Sequence, residues 1–223
     1  RCAGRSLSLG RHPANGVDRA QRSATIGAVN DEPTDLQRIL GYAGAAASGD
    51  QYTELAADIL VTPFWTPSFC AALIRAAEAT GAFEPNPHDP VPGHEVSLAA
   101  ISPQLFEAVQ NDVGGRLWPR LRRVWPYVDY VGLRDAFVIK YELGGQEELR
   151  IHHDVAQVSA SIKLNDDYTG AELRFPRQNA GNASVAVGDA LVWPSLVTHP
   201  HLSTPLRSGT KYSLTIWCEV PNF

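Results

Sequence analysis

The spacing of apolar residues changes about halfway along the chain. Before residue 126 apolar positions recur every three or four residues, which is typical of one face of a helix, and residues 70–77 give an example. Thr66 and Pro67 precede this stripe and Gly81 follows it. These residues predict a helix that has a capping hydroxyl, a proline in its first turn and a glycine at its end. A second helix is predicted from Ser102, with a weak point at the two glycines of residues 114–115.

After residue 126 the apolar positions alternate with polar ones, and β-branched and aromatic residues become common, which predicts strands. A turn at residues 188–189 predicts that the segments on its two sides form a hairpin. The predicted strands cover residues 136–141, 155–164, 172–175, 183–187, 190–193 and 210–220.

Helices followed by short, closely spaced strands predict a mainly β fold with flanking helices, arranged as a double-stranded β-helix, or jelly roll. We expect residues 1–57 to form an N-terminal extension with a helix at 34–47. Residues 58–223 are expected to form the main domain, with helices up to about residue 126 and the jelly-roll core after it.

Composition and charge exclude several classes of protein. The 223 residues are 44% hydrophobic and 19% charged with a net charge of −5, so neither nucleic acid nor a membrane is an expected partner. The three cysteines, Cys2, Cys70 and Cys218, form no close pair and favour a reducing compartment. The expected location is intracellular and cytoplasmic. An arginine-rich start keeps organellar targeting by a trimmed N-terminus open as an alternative.

His152, Asp154 and His201 are candidate metal ligands. Side chains two apart on a strand point to the same face, so His152 and Asp154 can converge while His153 points away. His201 follows Asp154 by 47 residues and can add a second imidazole from a later strand. Two histidines and one carboxylate on one face of a metal are typical of non-haem Fe(II) oxygenases. His199 has the same strand parity as His201 and remains an alternative ligand.

Lys211 lies ten residues after His201 on the last predicted strand. Alternation places Lys211 and Ser213 on one face of that strand, where an unpaired ammonium would be costly to bury. A dicarboxylate ligand would explain both residues, because Lys211 can pair with its far carboxylate while Ser213 donates a hydroxyl. The alternative is a surface lysine at the start of a strand. Two tryptophans, Trp193 and Trp217, are expected to be core aromatics.

Two stretches resemble a known family: LRIHHDVAQVSASIKLNDDYTGAELRF at 149–175 and GDALVWPSLVTHPHLSTPLRSGTKYSLTIWCEV at 188–220. They are similar to the Fe(II)/2-oxoglutarate-dependent dioxygenases of the prolyl 4-hydroxylase and procollagen lysyl hydroxylase group. A weaker similarity continues upstream through VTPFWTPSFCAALIRAAEATGAF and DAFVIKY, so the resemblance covers residues 58–220.

The resemblance implies that His152, Asp154 and His201 bind Fe(II). It also implies that Lys211 binds the C5 carboxylate of the cosubstrate 2-oxoglutarate, with help from Tyr141 and Ser213. Ascorbate is a candidate reductant.

The function implied by the resemblance is hydroxylation of an unactivated C–H bond by O2, with release of succinate and CO2. The substrate would be an amino acid or an amino-acid residue of the prolyl or lysyl type, and peptides and other small molecules stay open. Two alternatives remain: a jelly-roll binding module without catalysis, and a metalloenzyme of the cupin type that uses no 2-oxoglutarate. A proline-rich loop at residues 85–92 is a candidate lid over the site.

Overall fold

The computed structural model describes residues 42–87, 89–195 and 197–221. Its strands in chain order are β1 (Thr53–Ala56), β2 (Ile59–Pro63), β3 (Glu84–Pro85), β4 (His94–Ser97), β5 (Leu133–Glu142), β6 (Leu149–His152), β7 (Val158–Lys163), β8 (Thr169–Gly170), β9 (Leu173–Phe175), β10 (Ala180–Gly181), β11 (Asp189–Pro194), β12 (His201–Ser203), β13 (Leu206–Ser208) and β14 (Thr210–Cys218). The α-helices are α1 (Pro67–Thr80), α2 (Leu98–Ile101), α3 (Pro103–Asp112) and α4 (Trp118–Leu121).

Antiparallel pairing joins the strands into two sheets and a short ribbon. The main sheet has the order β1-β2-β11-β7-β14-β5-β4-β3, and the smaller sheet has the order β10-β9-β12-β6. Strands β13 and β8 form the ribbon. The prediction of a mainly β jelly roll with flanking helices is confirmed. The predicted strands at 136–141, 155–164, 172–175 and 210–220 correspond to β5, β7, β9 and β14.

The helices cover one face of the main sheet. Leu73 of α1 and Leu105 of α3 are fully buried in the same apolar cluster as Ile162 of β7 and Leu214 of β14. Burying such a side chain contributes about 2 kcal/mol. The opposite face of the main sheet, with Ser213 and its neighbours, turns toward the smaller sheet and lines a cavity.

Both predicted helix starts are present in the fold. Thr66 accepts a hydrogen bond from Phe69 N at 3.4 Å, and Gly81 ends α1 in a left-handed conformation at φ 60°. Helix α3 begins at Pro103, and the predicted weak point at residues 114–115 lies in a π-helical turn, Val113–Leu117. In that turn the carbonyl of each residue bonds one position further along than in an α-helix.

The predicted organisation before residue 126 was incomplete, because strands β1 to β4 also precede that residue. Strand β1 pairs with β2, and Ala46 bridges to Trp65, so the described residues before 58 pack onto the main sheet. Most of the predicted helix at 34–47 lies outside the described residues, and Tyr42–Gly44 forms a 3₁₀ turn. The domain boundary at residue 58 stays a prediction.

The predicted hairpin around residues 188–189 was wrong. Residues 183–187 form turns, and β11 pairs instead with β2 and β7. Gly188 is the reason, since its carbonyl accepts hydrogen bonds from Phe64 N and Trp65 N, and its own N–H donates to Lys163 O. A local turn signal could not reveal these partners, which are distant in the sequence.

Gly188→Ala should destabilise the fold by about 3–5 kcal/mol. Gly188 has φ +91°, and an added Cβ would lie 2.0 Å from the carbonyl oxygen of Trp65. Urea unfolding measures this change in the free energy of unfolding. The matched control is Gly115→Ala, where the added Cβ meets no atom of the described residues within 4 Å outside its own helical turn, and the expected effect is neutral or stabilising by up to about 1 kcal/mol. Equal effects of the two variants would contradict the account of this turn.

No described helix is both long and apolar enough to cross a bilayer.

Candidate metal centre and its cavity

The predicted metal ligands line the cavity between the two sheets. His152 is the last residue of β6, and His201 is its direct partner at the start of β12. Asp154 follows β6 by two residues and is 4% exposed. One ligand atom from each of the three side chains lies within 4.8 Å of the others. The structure therefore brings together three residues that are up to 49 positions apart in the sequence.

The hydrogen bonds of the two imidazoles leave the same ring atom free on each. His152 Nδ1 lies 2.8 Å from Arg150 O, and His201 Nδ1 lies 3.1 Å from His199 O. A carbonyl can only accept, so Nδ1 carries a proton on both rings, and in the neutral imidazole the lone pair is on Nε2. Each Nε2 is 3.5 Å from Asp154 Oδ1. Second partners of this kind fix the tautomer of histidines that bind metals.

The donor set fits a divalent metal ion. Two imidazole nitrogens and a carboxylate oxygen within 4.8 Å of one another are the donor types and the spacing that could hold one such ion. Asp154 is ionised: burial raises its pKa, but His152, His201 and a hydrogen bond from Ser159 outweigh burial and lower the pKa overall. The carboxylate and two imidazole lone pairs thus give a site that is ready for a cation.

The pKa values of the two histidines shift in opposite directions. Burial lowers the pKa of His201 below its usual value, and Asp154 does not overcome that effect. Burial also acts to lower the pKa of His152, but its contacts with Asp154 and Arg150 O raise the pKa overall. A bound metal would replace the proton that His152 otherwise attracts.

Lys211 lies deep in the same cavity and is 3% exposed. Its Nζ donates to Ala171 O at 2.7 Å and lies 4.5 Å from the centre of the Tyr141 ring. Among the described residues, no carboxylate lies within ion-pair distance of this ammonium group. Burial lowers the pKa of Lys211 to about 7, with a smaller contribution from Lys163. A buried cation without an anionic partner is costly, and an anionic ligand would remove that cost.

The other predicted cosubstrate residues also line the cavity. Tyr141 lies opposite Lys211 in the pairing of β5 with β14, and it is 4% exposed. Ser213 is 5% exposed and faces the cavity from the same side of β14 as Lys211. Ser203, which the sequence did not indicate, lies 3.5 Å from Lys211 Nζ through its hydroxyl oxygen.

His199 takes no part in the cluster of His152, Asp154 and His201. Its Nδ1 lies 2.9 Å from Thr198 Oγ1 and its Nε2 lies 3.2 Å from Ala57 O. It precedes β12, so the parity of that strand does not determine where its ring points. His153, the residue after β6, is exposed, as the sequence predicted.

The sequence interpretation missed part of the cavity wall. Trp193 belongs to a buried core cluster, as expected, and Trp217 packs partly buried against another. Both also line the cavity, and their buried Nε1 atoms have no hydrogen-bond partner among the described residues. From the proline-rich loop, Asp89 and Val91 also line the cavity, and Arg150 Nη2 donates to Pro90 O at 2.8 Å. The predicted lid loop therefore borders the site, and its role as a lid stays a prediction.

Two facing antiparallel sheets that enclose two histidines and a carboxylate define a jelly-roll protein with a candidate metal site. In the comparison with protein families, residues 136–219 match the 2OG-Fe(II) oxygenase superfamily. The chain thus carries a 2OG-Fe(II) oxygenase domain, and the predicted family is confirmed.

Curated relatives are procollagen lysyl hydroxylases. The chain is 27% identical over 73% of its length to the procollagen lysyl hydroxylase and glycosyltransferase of Acanthamoeba polyphaga mimivirus, of which it covers 19%. It is 38% identical over 34% of its length to procollagen-lysine,2-oxoglutarate 5-dioxygenase 1 of Mus musculus, of which it covers 11%. The chain thus spans under a quarter of the length of these relatives.

Solved structures show the same fold. The viral collagen prolyl hydroxylase of Paramecium Bursaria Chlorella virus-1, in its 2OG complex, matches with a TM-score of 0.56 and 17% identity, over 74% of this chain and 97% of that one. A Pseudomonas putida prolyl-4-hydroxylase matches with a TM-score of 0.54 and 18% identity, over 74% of this chain and 94% of that one.

Proposed function

We propose that this protein is an Fe(II)- and 2-oxoglutarate-dependent hydroxylase that acts on an amino acid or an amino-acid residue of the prolyl or lysyl type. One observation carries the proposal: a single cavity is lined by the cluster of His152, Asp154 and His201 and by the buried Lys211, whose ammonium has no carboxylate partner among the described residues. A metal that needs open positions and a dicarboxylate cosubstrate together account for both features.

His152 Nε2, Asp154 Oδ1 and His201 Nε2 would hold Fe(II). Lys211 would bind the far carboxylate of 2-oxoglutarate as a point charge, and Ser213 and Tyr141 would donate hydroxyl hydrogen bonds to the same group. Bound iron and cosubstrate would supply the oxidation, in which the substrate, O2 and 2-oxoglutarate give the hydroxylated product, succinate and CO2. The chain's own contribution is to orient the cosubstrate and to keep water out of the cavity.

Two other functions make different predictions. A binding module would take up a ligand without releasing succinate. A cupin-type metalloenzyme would use the three ligands but would leave the buried Lys211 and Ser213 without a function. The family match favours the dioxygenase, and so does the Lys211 ammonium, which has no carboxylate partner among the described residues.

A screen of candidate substrates tests the proposed function. Free proline, free lysine and short peptides containing either residue are each incubated with protein, Fe(II), 2-oxoglutarate and O2. We expect succinate release to rise with the true substrate and its mass to increase by one oxygen atom. Omitting ascorbate tests its proposed role as a reductant, which predicts slower turnover in later cycles. Failure of every substrate to gain oxygen, with no succinate formed, would support the binding module.

We also propose an intracellular, reducing location, which would keep iron ferrous. Cys70 and Cys218 are buried free thiols, as such a compartment permits.

Binding of 2-oxoglutarate should weaken as the pH rises above about 7. The folded protein loses the Lys211 proton with a pKa of about 7, and only the ammonium form attracts the far carboxylate. The dissociation constant should therefore rise toward about tenfold per pH unit above that value. Isothermal titration with a redox-inert metal, Mn(II), measures it between pH 6 and pH 9. Lys211→Arg is the control, because arginine keeps its charge over this range. A wild-type dissociation constant that does not change with pH would contradict this role of Lys211.

A further inference from the structure

Two buried serines form a hydrogen-bond chain with the proposed metal ligand Asp154. Ser159 on β7 donates its hydroxyl proton to Asp154 Oδ2 at 2.5 Å, and its oxygen lies 2.7 Å from Ser195 Oγ. Ser159 is fully buried, Ser195 is 5% exposed and Asp154 is 4% exposed. We propose that Ser159 and Ser195 are positioning residues that restrict Asp154 to binding the metal through one oxygen, Oδ1. This inference rests on the proposed metal site.

The direction of the hydrogen bonds follows from the number of protons. The Asp154 carboxylate can only accept, so the single proton of Ser159 is used in the bond to Oδ2. The bond between the two hydroxyls must then be donated by Ser195. The result is a chain, Ser195 to Ser159 to Asp154, in which each bond polarises and strengthens the next.

This hydrogen-bond chain makes the two oxygens of the Asp154 carboxylate different. Oδ2 accepts from Ser159, whereas Oδ1 lies 3.5 Å from the Nε2 atoms of both histidines. Without the serine hydroxyl, Asp154 could rotate and present both oxygens to a metal. A carboxylate bound through two oxygens would occupy one more of the positions that cosubstrate and O2 need.

The backbone holds both serines in place. Ser159 pairs with Trp193 where β7 meets β11, and Ser195 N donates to Gln157 O at 3.1 Å just beyond that pair. Ser159 lies at a fully buried position where alanine would fit, and a hydroxyl there is costly unless it is hydrogen-bonded. A polar residue at such a position is therefore explained by its partner, Asp154.

The test measures metal binding by protein freed of metal with a chelator. Ser159→Ala should weaken Mn(II) binding by about 10–100-fold, the usual effect of losing a group that orients a ligand. It should also change the visible absorption of bound Co(II), because the carboxylate changes how it binds. Ser159→Thr keeps the hydroxyl and should restore both properties. Wild-type Mn(II) affinity and an unchanged Co(II) spectrum in Ser159→Ala would overturn the proposal.

A control pair of hydroxyls lies in the ribbon of β8 and β13. Thr169 Oγ1 and Ser208 Oγ are also 2.7 Å apart, but they are exposed and away from the cavity. Ser208→Ala should leave Mn(II) affinity unchanged.

A second variant keeps the test decisive if Ser159→Ala does not fold. Ser195→Ala should weaken Mn(II) binding by less than Ser159→Ala, since Ser195 reaches Asp154 only through Ser159. Where both singles fold, adding Ser195→Ala to Ser159→Ala should weaken Mn(II) binding no further. An unchanged Mn(II) affinity in Ser195→Ala would overturn the proposed hydrogen-bond chain. If the wild-type protein binds no Mn(II), the proposed metal site fails instead, so the two failures are distinguishable.

Discussion

Replacing His201 with alanine should weaken Mn(II) binding by more than about 100-fold and abolish Fe(II)-dependent succinate release. Loss of a partner that only orients a metal ligand costs about 10–100-fold, and His201 is proposed as a ligand itself. Its Nε2 lies 3.5 Å from Asp154 Oδ1, and its ring centre lies 4.4 Å from that of His152. Isothermal titration of the metal-free variant and a succinate assay measure the two effects.

The matched control is His153→Ala, which removes an exposed imidazole next to the proposed ligand His152. Mn(II) affinity in that variant should stay within about twofold of wild type. If His201→Ala bound Mn(II) as tightly as His153→Ala, His201 would not be a ligand.

Lys211→Met should weaken 2-oxoglutarate binding by about 30–5,000-fold and, at the same time, stabilise the ligand-free protein. The first effect is the loss of a buried charge pair, which costs about 2–5 kcal/mol. The second arises because the ammonium is 3% exposed and has no carboxylate partner among the described residues. Replacing it with an apolar chain of similar length should raise the free energy of unfolding by about 1–3 kcal/mol at pH 6.

The stabilisation should depend on pH in a defined direction. Lys211 has an ordinary pKa of 10.5 when unfolded and about 7 when folded. Between these values the unfolded chain binds more protons, so the free energy of unfolding of the wild type should rise with pH from this group. The advantage of Lys211→Met should therefore shrink from pH 7 toward pH 10.5. Urea unfolding of both proteins across this range checks the trend, and a destabilised variant with intact 2-oxoglutarate affinity would contradict the account.

Local patterns predicted the parts of the site that depend on strand alternation. Extended alternation predicted that His152 and Asp154 converge and that His153 is exposed, and both hold although β6 itself ends at His152. The alternation of β14 likewise placed Lys211 and Ser213 together. The residues brought together here agree with the predicted set, and their roles as ligands remain the proposal that the titrations test.

Features that depend on tertiary contacts could not be predicted from the sequence. The choice between His199 and His201 could not be made from parity, because Ala57, a hydrogen-bond partner of His199, lies 142 residues away. Gly188 looked like a hairpin turn because its contacts with residues 64 and 65 are not local. The bond between Ser159 and Ser195 could not be predicted from local patterns, because the two serines are 36 residues apart.

The most direct test of the central claim is a crystal structure of the protein grown anaerobically with Mn(II) and 2-oxoglutarate, in which anomalous scattering locates the metal. We predict one metal bound by His152 Nε2, Asp154 Oδ1 and His201 Nε2, with the far carboxylate of the cosubstrate within hydrogen-bond distance of Lys211 Nζ. A metal bound elsewhere, or a cosubstrate carboxylate that does not reach Lys211, would contradict the account.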